Sequence, residues 1–103
     1  MAADIQPHVT SLRTAAAPSV RAMAARALSG GRHASSETVK EVLYIACTTD
    51  PSSFVRACCI EELCKLGYFD PSFMAHLHKA CADESEEVRM AAREALKKMT
   101  PGK

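Results

Sequence analysis

Five cysteines and four histidines are the residues of this sequence best able to do chemistry. Zinc would draw on such residues through closely spaced pairs that put two ligands on one side of the metal. Cys47, Cys58, Cys59, Cys64 and Cys81 form no Cys-x-x-Cys pair, and no His-x-x-x-His pair exists. His76 and His78 stand two residues apart, which on a helix turns them to opposite sides. Cys58 and Cys59 diverge by roughly 100° in the same way. Free cysteine is an ordinary small core residue. The five are read as structural thiols, with no metal and no cofactor. Their odd number does not make a secreted disulfide framework, and reduced thiols point to the cytoplasm.

Cys64 stands apart. Helical spacing puts it away from the apolar stripe of its segment, beside Lys65, whose charge favours a thiolate. Such a thiolate could form a covalent link, for instance with a second thiol. No histidine on that helix serves as its base, and there is no Gly-rich phosphate loop or paired-carboxylate pocket. Glu61, Glu62, Glu86 and Glu87 read as solvated helix charges. No catalytic residue is assigned, and a thiol-using enzyme stays as the alternative.

The elements that must position these residues are all helices. Pro18, Gly30-Gly31, Asp50-Pro51, Gly67, Asp70-Pro71 and Asp83 divide the chain into short segments with apolar residues at helical spacing. The first-helix stripes are Ile5, Val9 and Leu12; Val39, Val42, Leu43 and Ala46; and Phe73, Leu77 and Ala80. The second-helix stripes are Val20, Ala24, Ala27 and Leu28; Val55, Cys59, Leu63 and Leu66; and Val88, Ala92, Ala95, Leu96 and Met99. Ser35 or Ser36 caps the third helix, with Glu37 favoured by the helix dipole. Asp50-Pro51 and Asp70-Pro71 are expected to start the fourth and fifth helices, and Ser85 the sixth. Gly30 and Gly67 are expected as left-handed stops. Pro7 must lie in the opening turn of the first helix.

The segments repeat. Val20-Arg21, Val55-Arg56 and Val88-Arg89 recur at offsets of 35 and 33 residues. Four residues past each valine stands a small residue, and eight past each stands leucine. The preceding helices keep a shift of 34, which matches Val39, Leu43, Ala46 and Cys47 with Phe73, Leu77, Ala80 and Cys81. Such periods mark stacked helix pairs sharing one core. The expected fold is an all-α solenoid of three helix pairs, a single domain over 1–103 with repeats at about 3–30, 35–67 and 70–99.

The runs DPSSFVRACCIEEL and DESEEVRMAAREAL resemble the second half of a HEAT repeat, especially the short bacterial-type form of phycobilisome-lyase-like proteins. The resemblance implies antiparallel helix pairs in a right-handed solenoid, with the second helices lining the inner face and used chiefly for binding. It also implies a ladder between an aspartate in each turn and an arginine six residues on. Asp50 with Arg56 and Asp83 with Arg89 match that spacing. Arg21 has only Ala15 there, so the ladder is expected to end at Arg21. The lyase-like form is what would turn Cys64 into an enzyme's nucleophile.

Counted from the valines, the second, fifth, sixth and ninth following positions oppose the core stripe. They give Ala22, Ala25, Arg26 and Ser29, then Ala57, Ile60, Glu61 and Cys64, then Met90, Arg93, Glu94 and Lys97. Arg26, Ile60, Glu61, Cys64, Met90, Arg93 and Lys97 are the expected partner-binding residues. Thirteen basic and twelve acidic residues leave a charge of +1, too little to draw nucleic acid or an anionic membrane. No run spans a membrane or reads as a signal peptide. The expected partner is another protein. Neither end carries an elaborate polar cap, which leaves open self-association through the end repeats or a structural module of a longer chain.

Overall fold

Turn chemistry sets most helix boundaries. The computed structural model describes residues 6–31, 36–68 and 70–99. They form α1 (Gln6–Thr14), α2 (Pro18–Gly30), α3 (Glu37–Thr49), α4 (Ser53–Lys65), α5 (Pro71–Ala80) and α6 (Glu86–Met99). Ser36 caps α3, its side chain accepting from the Val39 amide at 3.1 Å. Asp50, Asp70 and Asp83 each accept the amide two residues on, from Ser52, Ser72 and Ser85 at 2.9, 2.8 and 2.8 Å. This Asp-x-Ser turn lets a carboxylate satisfy an amide that the helix start leaves orphaned. Asp70 caps α5 with Pro71 in its first turn. Before α4, however, the cap is Ser52, and Asp50 closes α3 instead. That frees the Asp50 carboxylate for longer-range contacts.

Gly67, at φ 72°, ends α4. Its amide donates to the Cys64 carbonyl, and the Tyr68 amide to that of Leu63. This is the left-handed closure that glycine makes without steric cost. Gly30 is no such stop. It lies within α2, and Gly31 leaves the helix with extended geometry at φ −90°. Pro7 sits in the opening turn of α1, where its missing amide costs nothing. Ile5 and Ser35 lie outside the described residues.

The helices pair α1 with α2, α3 with α4 and α5 with α6, and the second helices stack, α4 lying between α2 and α6. One hydrophobic cluster runs through all three pairs, from Val9 and Leu12 through Leu28, Leu43, Val55 and Leu63 to Phe73, Leu77 and Val88. Each large side chain fully buried there contributes about 1.5–3 kcal/mol. Alanine and cysteine at the helix contacts (Ala24, Ala25, Cys59, Ala92) let the backbones approach closely. The fold is therefore the expected all-α stack of three helix pairs.

Two features of the stripe differ from expectation. Val20 is 43% exposed, whereas its counterparts Val55 and Val88 are buried. Val55 and Val88 have a helix pair before them, and among the described residues Val20 has none. Ile60, expected on the exposed face, is wholly buried, as are Ala22, Ala25 and Ala57. In α2 and α4, each followed by another helix pair, the second and fifth positions after the valine are buried, whereas in α6 they are exposed. Only the sixth (Arg26, Glu61, Glu94) is exposed in all three repeats.

Candidate functional site

Where α4 and α6 lie side by side, with Arg26 of α2 at one edge, they enclose a shallow groove of about 320 Å³. Ala57, Cys58 and Ala91 line it with small side chains. Phe54 and Met90, 42% and 55% exposed, stand beside them. Glu61, Glu87 and Glu94 also line it, so three carboxylates face one guanidinium. The groove is thus a small apolar depression with an acidic border.

The expected site residues divide among three environments. Arg26, Glu61 and Met90 come together in this groove. Arg93 and Lys97 line an adjoining depression on α6, which shares Met90 and Glu94 with the groove. Ile60 belongs to the core. Cys64 is half-buried and packed against that core, because the fourth helix is covered on both flanks.

The arginines tie the stack together, in a different pattern from the one expected. Arg21 donates from Nη1 to the Ala15 carbonyl of its own turn at 2.8 Å. Its other edge grips Asp50 of the next repeat, Nε to Oδ2 at 2.8 Å and Nη2 to Oδ1 at 3.0 Å. Arg56 repeats this with the Asp50 carbonyl at 2.9 Å and the Asp83 carboxylate at 3.4 Å. Arg89 donates to the Asp83 carbonyl at 2.7 Å. An arginine thus bonds the carbonyl six residues back and the carboxylate of the following repeat. Arg21 is itself a rung of the ladder, and Asp50 pairs with Arg21, not Arg56.

Residues 5–97 match the family of HEAT repeats. This chain belongs to that family. No curated protein and no solved structure matches it. HEAT repeats serve generally as protein-interaction scaffolds. In this HEAT-repeat chain, none of the described helices is long and apolar enough to cross a membrane.

The thiols of this HEAT array follow its packing. All five cysteines are free. Burial pushes the Cys47 thiol up to about 12 and raises that of Cys59 further. Cys58 is also pushed up by burial, with the neighbouring Arg26 guanidinium pulling the other way. Among the described residues no three of His, Cys, Asp and Glu converge as metal ligands. His76 stands edge-on to Tyr44, their ring centroids 6.5 Å apart. Burial lowers its pKa from the ordinary 6.5, opposed by a hydrogen bond to the Cys47 backbone.

Sequence reasoning missed Phe54, Cys58 and Glu87. All three follow from the period: Phe54 and Glu87 immediately precede the valines, and Cys58 stands three residues after one. A second buried carboxylate was missed as well. Glu62 takes the Ser29 hydroxyl and Lys65, the latter at 3.3 Å, and links α4 to α2. It reads as a solvated charge only if α2 is left out of account.

Proposed function

We propose that this HEAT-repeat chain is a protein-binding module that takes a basic, apolar segment of its partner in the groove between α4 and α6. The observation that carries this reading is the pairing of Phe54 and Met90, both exposed, beside a floor of small side chains. Interface cores favour large apolar anchors of this kind set against a pocket. Glu61, Glu87 and Glu94 select for lysine or arginine in the partner, which governs orientation and on-rate more than affinity. The alternative of a thiol enzyme rests on Cys64, which is not part of the groove's lining and packs half-buried against the core.

Selection from a random peptide library tests this. The enriched peptides should share an apolar residue flanked by basic ones. Phe54→Ala and the double change Glu61→Lys, Glu94→Lys should each weaken their binding by about tenfold or more, with helix content retained. An acidic consensus, or binding indifferent to these substitutions, would refute the groove.

A further inference from the structure

Each second helix presents one side to the pair that follows it. On α2 that side carries Ala22 and Ala25, on α4 Ala57 and Ile60, and all four are buried. On α6 the same positions hold Met90 and Arg93, with Lys97 one turn on, and all three are exposed. Met90, Arg93, Glu94, Leu96 and Lys97 line a depression of about 540 Å³ there. Among the described residues, a side that is covered twice within the array is open here.

The ladder and the charges indicate what covers it. Arg21 and Arg56 hold a turn carbonyl of their own repeat and present the other edge to a carboxylate of the next. Arg89 makes the first bond and has no carboxylate partner for the second among the described residues. Arg89, Arg93 and Lys97 recur every fourth residue, so three cations run in line along α6. Of these only Lys97 has an ion pair among the described residues, with Glu94 at 3.9 Å. Both its side chains are largely exposed, and such a contact is weak. A second copy of the chain fits poorly. Two α6 helices face to face would oppose cations to cations. Head-to-tail stacking would set Arg89 against Ala15, which occupies the ladder position of Asp50 and Asp83.

We propose that this side of α6 docks an acidic amphipathic helix of a partner protein. Its carboxylates meet Arg89, Arg93 and Lys97, and its apolar residues cover Met90. The cations span eight residues, about 12 Å at about 1.5 Å per residue, so carboxylates at every fourth position of the incoming helix match them. The site adjoins the Phe54 groove, with which it shares Met90 and Glu94, and Arg93 and Lys97 belong to it alone.

The probe is a synthetic helical peptide with a leucine stripe flanked by glutamate at every fourth residue, followed by fluorescence anisotropy. Binding should weaken by about tenfold or more in Arg93→Glu, Lys97→Glu and fall with added salt. A lysine version of the peptide should bind that double variant instead. Phe54→Ala should leave binding of the acidic peptide unchanged, which separates failure of this site from failure of the groove. The proposal is overturned if the acidic peptide does not bind, or binds the charge-reversed protein equally well. It is equally overturned if Phe54→Ala abolishes binding. Self-association of the chain that the double change removes would make a second copy the occupant. Binding to phosphatidylserine vesicles but not to the peptide would make it a lipid surface.

Discussion

The guanidinium of Arg21 in α2 grips the carboxylate of Asp50 through two hydrogen bonds, across the junction between the first and second helix pairs. Both side chains are nearly enclosed, at 10% and 7% exposure. The Arg56–Asp83 pair at the next junction is longer, at 3.4 Å, and wetter, at 17% and 22%. The two rungs share a design and differ in burial, so they should differ in what they contribute.

Asp50→Ala strands a buried guanidinium, and breaking such a pair costs about 3–5 kcal/mol. Asp83→Ala removes a partly hydrated pair worth about 1 kcal/mol or less. Both lose the same Asp-x-Ser turn bond, so the difference between them isolates the ion pairs. Urea unfolding should show Asp50→Ala losing about 2 kcal/mol more than Asp83→Ala. Equal losses would mean that burial does not distinguish the rungs.

The cysteines should react in an order set by burial. Cys64 and Cys81 are half-buried, while Cys47 and Cys59 are fully enclosed and held protonated. Alkylation of the native protein near pH 8 should label Cys64 and Cys81 first, since the thiolate is the reactive form. Cys47 and Cys59 should label only as fast as the protein opens. Labelling of either at the rate of Cys64 would contradict the packing.

His76 should make stability fall in mild acid. Burial lowers its pKa in the folded state below the 6.5 of the free side chain. The unfolded chain therefore takes up the proton first, and stability drops as pH falls from 6.5 toward the folded value. Above 6.5 both states are neutral and the effect vanishes. Lys79 and Arg56 push in the same direction, and Asp83 opposes them. Denaturant midpoints at pH 7.5 and 5.5 measure this, where pH is chosen about one unit either side of the free histidine pKa. His76→Gln should lose the part of the difference due to this residue. An unchanged pH dependence in that variant would assign the effect elsewhere.

The helices and their stacking were legible in the sequence because the Val-Arg period and the Asp-Pro, serine and glycine boundaries are local signals. The exposed face was not fully legible. Counting positions opposite Val55 places Ile60 outside, and it is buried because α4 packs between α2 and α6. A helical wheel distinguishes a core side from an outer side, but each helix in a stack has a third side turned to its successor. The same omission misdirected the ladder. Asp50 and Arg56 stand six residues apart, and the arginine does reach back that far, but to the Asp50 carbonyl. The carboxylate goes to Arg21, 29 residues earlier, a partner that only the stacking brings near.

Methyl NMR offers the most direct test of the groove. The methyl groups of Ala57, Ala91 and Met90 line it, whereas Val42 and Ile45 line a depression between α1 and α3 on other helices. A library-selected basic peptide should shift the Ala57, Ala91 and Met90 signals in a saturable way. Val42 and Ile45 should stay in place. Shifts confined to Val42 and Ile45, with Ala57, Ala91 and Met90 unmoved, would contradict the assignment of partner binding to α4 and α6.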